Sequence, residues 1–172
     1  GTGKNPHEIE RNLSLIEGFT DQQIYKPKLY PAADDYDHVQ PFKVHPYVCI
    51  APTSVRFTKQ YPAEKWVSFI NSIAGGIQVF LLGAPGEKAL CAAIAGSAGR
   101  KVTDLCGQLS FLQSAALMKD ALMNYVNDSA PMHFASAMNA PVTAVYCSTV
   151  PSFGYGPLSD RSHIVEVKEA LA

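Results

Sequence analysis

Asn127-Asp128-Ser129-Ala130-Pro131-Met132-His133 gathers an amide, a carboxylate, a hydroxyl and an imidazole where an apolar run ends and a helix begins. Leu122, Met123, Tyr125 and Val126 supply the run, and Pro131 has the fixed φ that suits a first helical turn. Ser129 is a good N-cap residue. The free N–H groups and the positive dipole end behind it suit an anion such as a phosphate. Other polar groups follow predicted strands elsewhere in the chain. These are Thr53, Ser54 and Lys59, then Gly83 to Gly86 with Glu87, then Ser148 and Thr149. Hydroxyls, a lysine and a helix N-terminus on one rim are what a pyrophosphate needs, and Glu87 suits the two hydroxyls of a ribose. Each residue also has a plainer role: Ser129 as an ordinary cap, Thr53 and Ser54 as turn formers, Lys59 as surface charge, Glu87 as a first-turn acid. Their convergence on one edge favours binding. A lone helical histidine such as His133 reads as a structural donor in the core as often as a site residue. No G-x-S-x-G elbow surrounds Ser129, which sets aside a hydrolase built on Ser129 and His133.

These residues need a scaffold that brings the ends of several strands together. Tyr47–Ala51, Ile77–Leu82, a short stretch near Val102–Leu105, the run ending at Val126, and Val142–Tyr146 read as strands. Helices separate them: one from Pro62 carrying Trp66, Phe69, Ile70 and Ile73, one over Glu87–Ala95, and one capped by Ser110 with Gln113 and running through Met118. Apolar strands joined by single helices predict an α/β fold, a Rossmann-like parallel sheet with helices on both faces. In such a sheet ligands collect at the carboxyl ends of the strands.

Ahead of this unit, Asn5-Pro6-His7-Glu8 reads as a helix start, with Ile9, Leu13 and Ile16 on one face and an end near Gly18. Residues 19 to 46 hold Pro27, Pro31, Pro41 and Pro46 and show no period, so residues 1–46 are expected to form a helical arm and linker and residues 47–172 the Rossmann-like domain. Asp35-Tyr36-Asp37 matches the acid-x-acid pair that holds a divalent metal in many sugar transferases. With no strand leading into it, it reads as solvated charge.

The 172 residues are 47% hydrophobic and 17% charged with a formal net charge of -1, which argues against nucleic acid as a partner. No apolar run approaches the roughly 20 residues of a membrane span, and no leader opens the chain, so a cytoplasmic location is expected. Cys49, Cys91, Cys106 and Cys147 lie far apart, without CxxC or His ligand spacing, and read as buried thiols rather than a metal site. No tightly bound cofactor is predicted, and a divalent-cation requirement is left open.

Ala51-Pro52-Thr53-Ser54, Lys59 to Trp66, Leu82-Gly83, Asp104-Leu105-Cys106-Gly107-Gln108-Leu109-Ser110 and Asn127 to Ala135 together resemble the carboxyl-terminal half of the heptosyltransferases, glycosyltransferase family 9. The resemblance runs from about Val48 to Val165. It implies the carboxyl-terminal domain of a GT-B enzyme that transfers heptose from ADP-heptose to the lipopolysaccharide inner core with inversion. In it Thr53, Ser54 and Lys59 would contact the diphosphate, Glu87 the ribose, Asp128 the heptose hydroxyls, and the backbone of Ser129, Ala130, Pro131 and Met132 the phosphates, with His133 supporting the corner. The catalytic base and the site for the lipid-linked acceptor would belong to an amino-terminal domain that this chain lacks, so the chain alone would bind without catalysing. It would work in the cytoplasm at the inner membrane face, and its arm would stay partly exposed or pair with a second copy. Ala130 stands where the family has glycine, Gln60-Tyr61 where it has Arg-Trp, and Cys147-Ser148-Thr149 where it has Gly-Pro-Thr. The added methyl of Ala130 narrows the backbone's approach to a phosphate, which leaves open a GT-B transferase for another nucleotide sugar. A non-catalytic Rossmann-like nucleotide-binding module is the remaining alternative.

Overall fold

The computed structural model describes residues 6–21 and 23–166. Six strands form one sheet: β1 (Tyr47–Ala51), β2 (Gln78–Leu81), β3 (Thr103–Asp104), β4 (Asn124–Asn127), β5 (Val142–Tyr146) and β6 (Ser162–Glu166). They run in the order β3-β2-β1-β4-β5-β6, and every pairing is parallel. The chain winds outward from β1 through β2 to β3, then crosses back to place β4 on the other side of β1. That reversal opens a crevice at the carboxyl ends of β1 and β4.

β1 sits at the centre, and all five of its residues are buried. Tyr47, Cys49 and Ala51 point into one core and Val48 and Ile50 into the other, as the period of two in a strand requires. Helices α3 (Ala63–Ser72) and α4 (Lys88–Ser97) pack together over the second core, where Trp66, Ile70, Cys91 and Ile94 are buried. Helices α5 (Phe111–Lys119) and α6 (Ala130–Ala137) pack together over the first, burying Ala116, Leu117, Met118, Met132 and Ala135. The cap predicted for α5 is present: Ser110 Oγ accepts the Gln113 N–H at 3.1 Å, and Gln113 Oε1 accepts the Ser110 N–H at 2.9 Å.

Three expectations are corrected. The first helix, α1 (Glu8–Ser14), starts at an N-cap of His7, whose Nδ1 accepts the Ile9 N–H at 3.2 Å; Asn5 lies outside the described residues. The stretch read as linker contains a helix, α2 (Ala33–Val39), which packs on α5 and drives Val39 fully into the core. Asp34 and Asp35 are first-turn charge, and Asp35 accepts the Ala32 N–H at 2.9 Å. The third correction is β6, an edge strand that was not predicted.

The arm lies against the loop after β5 by a few polar contacts, the Glu8 N–H donating to Gly154 O at 2.8 Å and His7 Nε2 lying 3.2 Å from Gly156 O. No residue of α1 is buried. Ile9 and Leu13 are half-buried and Ile16 is exposed. Among the described residues no helix is long and apolar enough to cross a membrane.

Candidate functional site

The end of β4 is held by its own side chain. Asn127 is fully buried; its Nδ2 donates to Pro52 O at 2.7 Å and its Oδ1 accepts the Tyr61 N–H at 3.2 Å. One amide thereby fixes both ends of the loop after β1. Gln60 holds the same loop, donating from Nε2 to Ser54 O at 2.6 Å. Thr53 and Ser54 are buried as a result, although both follow the strand rather than lie within it.

Next to Asn127, the Asp128 carboxylate is buried and shared. Lys59 Nζ and Thr149 Oγ1 both donate to its Oδ2, at 2.6 and 2.7 Å. The lysine head is 22% exposed and the carboxylate 7%, so this is a mostly desolvated ion pair with one hydroxyl to help satisfy it. Lys59 was assigned to the diphosphate and Asp128 to sugar hydroxyls; in the structure they hold each other.

Ser129 occupies the N-cap position of α6 with extended backbone, but its side chain does not cap the helix. Its hydroxyl donates to Asn127 O at 3.3 Å instead. The reason is local: Pro131 has no N–H to offer, and the Met132 N–H already donates to Ser129 O at 3.0 Å. Of the four backbone positions expected to bind phosphate, Ser129 and Ala130 therefore remain as donors, and Pro131 contributes its ring. The Met132 side chain is fully buried, and Tyr146 Oη donates to its Sδ at 3.3 Å, so the side chain belongs to the core.

Thr53, Ser54, Glu87, Ser129, Ala130 and Pro131 line one cleft of about 240 Å³. Six of the ten expected residues therefore meet across the β1–β4 crevice. The rest of the lining is largely apolar and includes Leu82, Leu109, Phe111, Met118 and Phe134. Phe111 is 71% exposed at the lip, with its ring 5.4 Å from that of Phe134. Sequence reasoning missed this apolar lining; the signal available was Phe111, a large apolar side chain in the first turn of a helix, where polar residues are the rule. It also missed Asn127 and Gln60 as positioning residues and Thr149 as the third member of the Asp128 group.

Glu87 lies on the cleft, and its Oε2 accepts the Ala84 N–H at 2.7 Å, so the plainer capping role is real as well. His133 projects from the first turn of α6 and is exposed. Loss of water on its protein-facing side lowers its pKa, while the nearby Asp128 carboxylate pulls the other way and His7 and Lys59 lower it further. Cys49, Cys91 and Cys106 are buried and Cys147 half-buried. Burial pushes all four thiols up.

A cleft lined by hydroxyls, two backbone donors and aromatic side chains, next in sequence to a buried lysine–carboxylate pair, is suited to a flat ring joined to a charged group. The family model described as glycosyltransferase family 9 (heptosyltransferase) matches residues 2–171. Lipopolysaccharide heptosyltransferase 3 of Escherichia coli is 30% identical over 155 residues, covering 83% of this chain and 44% of that protein. Among solved structures, a glycosyl transferase family 9 protein from Veillonella parvula superposes with a TM-score of 0.85 at 20% identity, over 96% of this chain and 50% of that one. The E. coli heptosyltransferase WaaC with ADP superposes with a TM-score of 0.72 at 22% identity, over 95% and 51%. The chain spans about half the length of the curated relatives it matches. At these identities the structures establish a shared fold, and the sequence match, which runs over nearly the whole chain, establishes the kinship. The chain belongs to glycosyltransferase family 9, the heptosyltransferases.

Proposed function

We propose that this chain is the donor-binding half of an inverting heptosyltransferase that takes ADP-heptose and glycosylates the lipopolysaccharide inner core. The observation that carries the reading is the cleft itself, which brings Thr53, Ser54, Glu87 and the start of α6 together with apolar and aromatic side chains at the β1–β4 crevice. The adenine ring lies against Leu109, Phe111 and Phe134, the ribose reaches Glu87, and the diphosphate meets Thr53, Ser54 and the N–H groups of Ser129 and Ala130. Lys59 turns from Asp128 to the diphosphate, which frees the carboxylate for sugar hydroxyls while Thr149 keeps it oriented. During transfer the lysine and the helix dipole stabilise the departing diphosphate. The base that deprotonates the acceptor hydroxyl, and the site for the lipid-linked acceptor, belong to an amino-terminal domain. The enzyme works in the cytoplasm at the inner membrane face.

Calorimetric titration with ADP, UDP and pyrophosphate tests the site. Lys59→Ala removes a charge-assisted contact worth about 1.5 to 3 kcal/mol, so ADP affinity is expected to fall roughly ten- to a hundredfold. Glu87→Gln keeps an oxygen for the Ala84 N–H, so the loop stays capped. It is expected to weaken ADP while leaving pyrophosphate unchanged. ADP binding that ignores both substitutions rejects the assignment, and tighter UDP than ADP moves the donor to another nucleotide sugar. That second reading has one observation in its favour, the Ala130 methyl at the phosphate corner.

The arm supplies a separate expectation. Leu15 is 80% and Phe19 93% exposed. In the whole protein the amino-terminal half covers this surface, and in the isolated chain a second copy does. Light scattering is expected to show a concentration-dependent dimer that Leu15→Asp with Phe19→Asp returns to monomer. A monomer at all concentrations refutes the pairing.

A further inference from the structure

Two cysteines far apart in sequence meet beside β3. Cys91 on α4, Asp104 at the end of β3 and Cys106 just beyond each place one ligand atom within 4.8 Å of the others. Cys91 is fully buried and Cys106 is 2% exposed, while Asp104 is half-buried. The carboxylate is already fixed in direction, since Asp104 Oδ1 accepts the Cys106 N–H at 2.9 Å.

Gly83 makes the room for this cluster. A Cβ placed on it would lie 2.7 Å from Cys106 Sγ, 3.0 Å from Glu87 Oε2 and 3.5 Å from Cys91 Sγ. Its φ is not in the left-handed region, so glycine is required here for space and not for backbone conformation. Both sulfurs and a second carboxylate thus surround one bare backbone position.

We propose that Cys91, Asp104 and Cys106 ligate a thiophilic divalent cation of the Zn²⁺ type, with the fourth position left to water beside Glu87. Two sulfurs and a carboxylate are a donor set that selects zinc over magnesium or calcium. A tetrahedral ion about 2.3 Å from each sulfur sets its ligands roughly 3.8 Å apart, so the side chains contract by about 1 Å at most. The ion clamps α4 to the end of β3 and with it the Gly83–Glu87 loop that borders the donor cleft. The proposal does not depend on which nucleotide that cleft takes. CxxC spacing is the usual mark of such a site, and its absence here reflects ligands drawn from a helix and a strand end instead of one loop.

The test uses the full chain, stripped with a chelator and titrated with Zn²⁺ against a chromophoric competitor and with Co²⁺ by absorption. One ion per chain and a sulfur-to-cobalt charge-transfer band are expected. Cys91→Ser and Cys106→Ser are each expected to weaken Zn²⁺ by about tenfold or more, and Cys147→Ser to leave it unchanged. Asp104→Asn keeps an acceptor for the Cys106 N–H and so separates ligation from folding; it too is expected to weaken binding. Absence of uptake and of the charge-transfer band at micromolar ion overturns the proposal. So does binding that survives Asp104→Asn and Cys91→Ser or that depends on Cys147.

Discussion

Asn127→Ala is expected to lower the unfolding free energy by roughly 2 to 4 kcal/mol, because it abandons two polar groups at once. The Pro52 carbonyl loses its 2.7 Å donor and the Tyr61 N–H its 3.2 Å acceptor, and a fully buried volume is left unfilled. Each unsatisfied buried group costs about 1 to 3 kcal/mol; the Tyr61 N–H, only partly buried, sits at the low end. The same change should weaken ADP, since Pro52 precedes Thr53 and its carbonyl fixes that turn. Asn127→Asp is the informative control. It keeps an acceptor for Tyr61 but turns a carboxylate oxygen toward the Pro52 carbonyl, so it should be at least as destabilising as alanine despite near-identical shape. Urea unfolding with an unchanged m-value measures both. A loss below about 1 kcal/mol for either variant would show that water takes over these partners.

Asn127 also shows where sequence reading succeeds and where it stops. The corner it belongs to was legible because an apolar run, a polar tripeptide and a proline mark a strand end and a helix start within a few residues. The α5 cap was legible for the same reason: Ser110 and Gln113 carry their roles at a fixed spacing. By contrast, α2 is seven residues with only Val39 buried, too short to show a period, and its three aspartates look like those of a linker. Among the described residues β6 pairs with β5 alone and buries none of its side chains, so Ser162–Glu166 lacks the apolar run that marks the central strands.

The site divides in the same way. Backbone-end residues such as Thr53, Ser54 and Ser129 could be placed from strand ends and the parallel-sheet rule. Partners joined only by tertiary structure could not: Thr149 reaches Asp128 from the loop after β5, and Cys91 reaches Cys106 from α4. Ser129 is the subtler case. Its position as N-cap was right, yet its hydroxyl faces away from the helix because proline and a short internal bond leave it nothing to cap.

Gly107→Ala is expected to cost about 2 to 5 kcal/mol and to deform the cleft. Gly107 has φ +67°, in the left-handed region, where a Cβ costs roughly 1 to 2 kcal/mol. Its N–H donates to Gly83 O at 2.8 Å, so the backbone cannot swing away from the loop after β2. A Cβ there would lie 2.6 Å from Lys88 Cε and 2.8 Å from Pro85 Cα. The lysine carbon can move, but Pro85 is backbone and borders the cleft, so the clash adds about 1 to 3 kcal/mol and shifts that wall. Gly107→Asn distinguishes the two causes, because asparagine tolerates the left-handed region far better than alanine yet carries the same Cβ. If crowding against Pro85 dominates, asparagine should be as destabilising as alanine in urea unfolding, and both should weaken ADP. Recovery of stability by asparagine would assign the cost to φ alone, and wild-type ADP affinity in both variants would show that Pro85 does not shape the site.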